Sequence, residues 1–432
     1  MSSARAVARD VLERVEDGAY VHLLLPEALR RTGLSDRDRA FATDLVYGTV
    51  RMQRAVDHLI AAVSSRPVDS LEPSVRAGLR LGAYQLLRGV APHAAVGETV
   101  STVPQRAAGF VNGVLRALAR LGPPWPWPEG DGVAAVAVRT SHPDWIVESL
   151  VAELGRDDAL AMLELDNAAP AVTLRVNPLR STFDALLAEI EGAGASAERG
   201  CLVEGALIVR GTGDPRSLPA VRDGRATPQD QGSQAVTRLR DPRPGETVLD
   251  VAAAPGGKAT GAAESMGDVG TVLAIDLRAG RVRLVREAAQ RLGLASVRTA
   301  VGDGRALPVR SGSFDKVLLD APCSGLGVLR RRPDARWRIQ PQDATGLASL
   351  QRHLLGEAAR AVRPGGRLVY AVCTLTAAET REVDAWAVQS LVGFDAAPPP
   401  GPPWRPCGRG ARILPQDAGT DGMFVLSLDR RA

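Results

Sequence analysis

Thr247-Val248-Leu249-Asp250-Val251-Ala252-Ala253-Ala254-Pro255-Gly256-Gly257-Lys258 opens as a short apolar strand and passes through small residues and two glycines into a helical stretch that runs to Met266. A strand, a glycine-bearing loop and a helix in that order form the first half of a parallel βαβ unit. The alternation continues outward from it. Strands are predicted at Thr271–Asp276, Val297–Val301, Phe314–Leu319, Gly366–Val372 and Met423–Leu428, with helices at Lys258–Met266, Ala279–Leu292, Asp343–Val362 and Glu379–Leu391. Residues 226–432 therefore read as a doubly wound, Rossmann-like α/β domain. The final strand follows a proline-rich loop, which fits an antiparallel edge.

The chain before Ala226 reads differently. Val7, Val11, Leu12 and Val15 keep helical spacing, as do Phe41, Leu45 and Val46, and Leu79, Ala83 and Leu86. Pro123-Pro124-Trp125-Pro126-Trp127-Pro128 cannot continue a helix, because proline lacks the donor and clashes with the preceding turn. An all-helical domain is expected over 1–130. A helix at Asp144–Leu154, strands around Thr173–Val176 and Leu207–Arg210, and a helix through Phe183 and Ile190 predict a small α+β subdomain over 140–225.

At 432 residues, 45% hydrophobic and 24% charged, the composition is that of a soluble globular protein. No apolar run approaches the ~20 residues of a membrane span. Arg5, Arg9, Asp10, Glu13 and Glu16 interrupt the apolar core that a signal peptide needs, so a cytoplasmic protein with no membrane partner is expected. Cys201, Cys323, Cys373 and Cys407 are widely spaced with no metal-ligand pattern, which predicts free thiols and no metal. The net charge is +4, and Lys258 and Lys316 are the only lysines among 53 basic residues. A compositional bias accounts for most of that arginine, so local clusters carry more information than the total.

The loop after Val251 selects among nucleotide cofactors. A phosphate-binding Walker loop needs glycine at 252 and Ser or Thr at 259, and both are alanine, which excludes ATP. The dinucleotide fingerprint is absent. S-adenosylmethionine remains, with Ala252, Ala253, Ala254, Pro255, Gly256, Gly257 and Lys258 as the loop whose small residues let the backbone approach a ligand closely. Acids support it: Asp276, Asp303 and Asp320 close successive strands as Asp250 closes the first. Asp276 is placed for ribose hydroxyls and Asp303 for the adenine amine.

Two of the four cysteines end predicted strands, Cys323 in Asp320-Ala321-Pro322-Cys323-Ser324-Gly325 and Cys373 in Tyr370-Ala371-Val372-Cys373-Thr374. Ligands bind outside the carboxyl ends of strands in such sheets. A thiolate there can add to carbon 6 of cytosine, making carbon 5 nucleophilic enough to accept a methyl group. One thiol would add and the other would assist release.

These motifs resemble those of the bacterial 16S ribosomal RNA cytosine-5 methyltransferases of the RsmB (Sun) type. Supporting stretches are Leu174-Arg175-Val176-Asn177-Pro178, Pro228-Gln229-Asp230-Gln231-Gly232-Ser233-Gln234, Arg331-Arg332-Pro333-Asp334-Ala335-Arg336-Trp337, and Thr420-Asp421-Gly422-Met423-Phe424. The helical segment is similar to the NusB domain through Asp38-Arg39-Ala40-Phe41, Leu45-Val46-Tyr47-Gly48 and Phe110-Val111-Asn112-Gly113-Val114-Leu115-Arg116. The resemblance implies Cys373 as nucleophile, Cys323 as the release residue, and Asp320 and Lys258 contacting the base as well as the cofactor. It implies 16S rRNA, free or in a small-subunit assembly intermediate, as partner of a monomeric enzyme. DNA cytosine-5 enzymes use the Pro-Cys thiol instead, and the presence of both thiols favours the RNA scheme. Arg331, Arg332 and Arg336, with forks for phosphate, and Trp337, with a ring for an unpaired base, are the expected RNA contacts. Two positions depart from the family: Ala252 stands where cysteine is frequent, and Val372 where threonine precedes the nucleophile.

Overall fold

A computed structural model describes residues 3–432. Packing divides the chain into two units, one running to Ala169 and including Leu329–Ile339, the other comprising Pro170–Val328 and Gln340–Ala432.

The first unit is helical: α1 (Ala4–Glu16), α2 (Val21–Arg30), α3 (Asp36–Arg51), α4 (Gln53–Ala61), α5 (Pro73–Leu87), α6 (Pro92–Val100), α7 (Gln105–Leu121), α8 (Val133–Thr140), α9 (Asp144–Leu154) and α10 (Arg156–Leu165). Apolar positions three and four apart bury one face of each helix, as Val111, Val114, Leu115 and Leu118 do on α7. Gly48 lets α3 and α5 meet, since a Cβ there would lie 2.0 Å from the Tyr84 ring. The proline run does not separate the units. Helices α8 to α10, expected in part with the α+β segment, pack with the N-terminal helices.

Leu329–Ile339 belongs to this unit for an electrostatic reason. The carbonyls at a helix C-terminus lack intrahelical donors and carry partial negative charge. Arg336 is fully buried and donates to Arg51 O (3.2 Å) at the end of α3, Ser141 O (3.0 Å) after α8, Asp166 O (3.1 Å) after α10, and Asn167 Oδ1 (2.9 Å). The Trp337 indole donates to Val50 O at 2.8 Å, and Arg338 donates to Gly18 O at 2.7 Å beyond α1. One segment thus closes the ends of four helices. Burial pushes Arg336 down to about 10, opposed by Asp166. Arg336→Ala leaves those carbonyls and a buried acid uncompensated, so a loss of about 3–5 kcal/mol is expected in denaturant unfolding. A change within about 0.5 kcal/mol, the range of ordinary surface substitutions, would contradict it.

The second unit holds two sheets. The smaller is antiparallel, in the order β2 (Ser196–Arg199), β3 (Ala206–Arg210), β1 (Val172–Val176), β4 (Ala226–Pro228), and is covered by α11 (Phe183–Gly192). Leu174 and Val176 face Leu186 and Ile190 in its core, while Arg175 points the other way. The larger sheet contains β5 (Thr247–Val251), β6 (Thr271–Asp276), β7 (Val297–Val301), β8 (Phe314–Asp320), β9 (Val362–Val372), β10 (Phe394–Ala396), β11 (Arg405–Cys407), β12 (Gly410–Ile413) and β13 (Met423–Arg430). Its path is β11-β12-β13-β9-β8-β5-β6-β7, parallel from β9 to β7, and β10 joins β13. Besides α11, the helices of this unit longer than four residues are α12 (Gln231–Leu239), α13 (Gly257–Ser265), α14 (Ala279–Leu292), α15 (Pro341–Ala361) and α16 (Arg381–Ser390). The expectation of an edge at β13 is corrected: it is antiparallel to β9, but β12 and β10 pair with its other side. Strand order reverses between β5 and β8, which makes their carboxyl ends the topological switch point.

Candidate active site

Asp250, near the end of β5, is fully buried, and neither carboxylate oxygen has a hydrogen-bond partner among the described residues. Burial raises this carboxyl to about 7, opposed by the buried Arg240 guanidinium and helped by Asp320. A folded-state value above the unfolded one gives stability that is present below the unfolded pKa and is lost as pH rises through about 7. Asp250→Asn removes that dependence. Relative to the parent, the variant is expected to gain about 3 kcal/mol between pH 5 and pH 8 in denaturant unfolding. A difference that stays constant with pH would refute the assignment.

The end of β8 carries Asp320, whose Oδ2 lies 2.7 Å from Lys258 Nζ at the start of α13. Lys258 is 12% exposed and lies 3.4 Å from Ser233 Oγ on α12. Desolvation pulls the ammonium down, but Asp320, followed by Cys373 and Asp250, outweighs it, and Lys258 is held above its ordinary value. The sulfurs of Cys323 and Cys373 are 3.4 Å apart. Hydrogen bonding to Cys373, then desolvation, with the nearby Cys373, Glu379 and Asp320 adding to it, pushes the Cys323 thiol well above its ordinary value.

The loops around the thiols interlock. Gly327 N–H donates to Cys373 O at 2.9 Å, and Gly422 N–H donates to Gly327 O at 2.8 Å. A Cβ on Gly327 would lie 2.0 Å from Gly422 O, so only glycine allows this crossing. Asp230 Oδ1 accepts from Gly232 N (2.8 Å), Asp421 N (3.1 Å) and the Thr420 hydroxyl, tying the start of α12 to the stretch before β13. Val372 is fully buried opposite Phe424. Beside the two thiols, Ser324 Oγ and Thr374 Oγ1 are 2.7 Å apart.

The stretch from Ala252 to Lys258 joins β5 to α13. Ala252 takes φ 61° and Gly256 φ 105°. A Cβ on Gly256 would meet Val285 of α14 at 3.1 Å, so this glycine answers a packing demand as well as any ligand. Asp276 at the end of β6 is buried and accepts from Ala254 N and Arg278 N at 3.3 Å and from Arg281 Nε at 3.1 Å. Asp303 follows β7. Its fork with Arg305, through Nη2 at 2.7 Å and Nε at 3.1 Å, holds the carboxyl at about 2. Leu277 and Val301, exposed beside these acids, give the region an apolar flank that sequence reading passed over.

Arg175 was also missed. From β1 it donates to Glu264 through Nε (2.8 Å) and Nη2 (3.0 Å), to Thr260 Oγ1 (3.0 Å) and to Gly257 O, bracing the first turns of α13. An Arg followed two residues later by Asn-Pro was visible in the chain, but its partner 89 residues away was not.

The expected RNA contacts fare unequally. Arg336 is corrected: it is fully buried among helix ends, so its guanidinium is not offered to a ligand, whereas Trp337 is half-buried and donates its indole N–H into α3. Arg331 is half-buried and Arg332 exposed.

Comparison with known proteins decides the family. The profile of the 16S rRNA methyltransferase RsmB/F family matches residues 237–429, that of the NusB family residues 2–120, and that of the RsmF/B-like ferredoxin-like domain residues 142–214. A Bacillus subtilis protein described as "Probable ribosomal RNA small subunit methyltransferase B" is 36% identical over 447 residues, covering 100% of this chain and 99% of its own. The ribosomal RNA small subunit methyltransferase B of Pseudomonas syringae pv. tomato is 32% identical, covering 99% and 97%. The chain belongs to the RsmB/F methyltransferase family. A solved structure, that of PH0851, superposes with TM-score 0.85 at 26% identity over 100% of this chain and 99% of that one. Lys258, Asp320, Cys323 and Cys373 all lie within the span of the RsmB/F profile. Among the described residues no helix is long and apolar enough to cross a membrane, and no group of three or more His, Cys, Asp or Glu is arranged to hold a metal ion.

Proposed function

We propose that this RsmB/F protein methylates carbon 5 of an unpaired cytosine in 16S rRNA, in the cytoplasm, with Cys373 as the nucleophile. The observation that carries the reading is the thiol pair. Two sulfurs 3.4 Å apart stand beside the Lys258–Asp320 pair, and one of them, Cys323, is held as a thiol. Attack is assigned to Cys373, as the resemblance to the RsmB-type enzymes implies.

Asp276 and Asp303 suit ribose hydroxyls and an adenine amine, with Leu277 and Val301 against the ring, and the 252–258 loop suits the rest of S-adenosylmethionine. When bound, that cofactor supplies an electrophilic methyl group. Asp320 accepts from the exocyclic amine of cytosine and Lys258 donates to its carbonyl side, fixing the ring over Cys373. The Cys373 sulfur adds to carbon 6 and electron density moves to carbon 5, which takes the methyl group. The carbon-5 proton then leaves to a base, the ring double bond re-forms, and the carbon–sulfur electron pair returns to Cys373. Cys323 S–H donates to that departing sulfur. The target must be single-stranded or flipped out to reach the site. Arg331 and Arg332 keep the proposed role of phosphate contacts.

The test is transfer of a labelled methyl group to small-subunit RNA followed by nucleoside analysis. Label in 5-methylcytidine is expected, and label confined to another nucleoside would overturn the base and position assigned.

A further inference from the structure

Glu379 has no part in the chemistry above, yet its carboxylate is fully buried against both cysteine loops. Oε1 accepts from the Ser324 N–H at 2.8 Å and from Gln351 Nε2 at 3.0 Å. Oε2 accepts from the Ser324 hydroxyl at 2.5 Å and from the Thr376 hydroxyl at 2.9 Å. All four donors are neutral. A buried carboxylate satisfied only by neutral donors is a costly way to fill space, so packing alone is a poor reason for it.

The connections explain the arrangement. Ser324 follows Cys323, and Thr374 follows Cys373. The single Ser324 hydroxyl proton is directed to Glu379, so the 2.7 Å contact between Ser324 and Thr374 is made by the Thr374 proton. Gln351 of α15 extends the hold by donating to Pro322 O at 2.9 Å, on the other side of Cys323. The Tyr370 hydroxyl, on the strand that ends at Cys373, lies 2.8 Å from Glu379 O and 2.9 Å from Gln351 Oε1. Glu379 therefore grips the residue after Cys323 directly, the residue before it through Gln351, and the Cys373 strand through Thr374 and Tyr370.

We infer that Glu379 is a positioning residue whose buried carboxylate sets the spacing of Cys323 from Cys373 for the release step. The inference deepens the proposed function and rests on it for the word release, while the spacing itself is independent of any reaction. Its negative charge also opposes ionisation of Cys323, which keeps that thiol a donor.

The test has two arms. In the protein without RNA, diamide takes two electrons and two protons from a close thiol pair, leaving a disulfide and the reduced hydrazine. The Cys323–Cys373 disulfide, followed by peptide mapping, is expected to form rapidly in the parent and at least about tenfold more slowly in Glu379→Ala, since reactivity falls steeply with misplacement. Glu379→Gln keeps one acceptor oxygen and the side-chain volume, and an intermediate rate is expected. With RNA and cofactor, Glu379→Ala is expected to lose about 10²-fold in turnover and to accumulate covalent complex on ordinary RNA, with cofactor affinity unchanged. Should Glu379→Ala fail to fold, Glu379→Gln decides. Natively folded variants that cross-link at the parental rate would overturn the inference. Absence of any covalent complex in the parent would instead overturn the proposed function and leave the cross-linking result standing.

Discussion

Replacing Cys373 with alanine is expected to lower methyl transfer by on the order of 10⁴-fold and to remove every denaturation-resistant complex with RNA. Nucleophile addition creates the reactive carbon 5, so no other group in the site compensates for its loss. Cys323 is adjacent, but with Cys373 gone desolvation and the charges of Glu379 and Asp320 still disfavour its thiolate, and a thiol is not the attacking species. Native circular dichroism and parental cofactor affinity should accompany the loss. The side chain is half-buried at a strand end, so its removal opens little space. Turnover within about tenfold of the parent would exclude Cys373 as nucleophile.

Cys323→Ala is expected to behave in the opposite way. Attack and methyl transfer proceed, but the departing Cys373 sulfur loses its donor 3.4 Å away. Covalent complex should accumulate on ordinary RNA, with multiple turnover reduced by about 10²- to 10³-fold, while a single-turnover measurement shows methyl transfer at a much less affected rate. The double variant with Cys373→Ala should form no complex. If Cys323→Ala instead abolishes the complex, the order of the two thiols is the reverse of the one proposed.

Much of this architecture was legible in the chain because it is local. The predicted bounds of β5, β6, β7 and α14 agree with those found, the strands being short runs closed by an acid or a glycine and the helix an amphipathic repeat that buries Val282, Val285, Ala289 and Leu292 and stops at Gly293. Strand β2 was missed because Ser196-Ala197-Glu198-Arg199 is a polar sheet edge, with its side chains mostly in solvent. Strands β10, β11 and β12, of three or four residues among prolines, carry too little pattern to register. The arginine run was misread for a physical reason: charge in sequence looks solvated, and only the assembled helices reveal the carbonyl ends that Arg336 and Arg338 neutralise. Glu379 has the same history. In the chain it resembles an acid at the start of a helix, and its hold on Ser324 and Gln351 exists only once β8, α15 and the Cys373 loop meet.

With Cys373 as the proposed nucleophile, it is this thiol and not Cys323 that is expected to bond to the base. RNA carrying 5-fluorocytidine at the target lacks the carbon-5 proton that release must expel, so the parent enzyme should stop as a covalent complex. Proteolysis and nuclease digestion of that complex, followed by mass spectrometry, assign the bond directly. The nucleotide adduct is expected on the peptide containing Cys373, with the Cys323 peptide unmodified; an adduct on Cys323 would assign the attack to the other thiol.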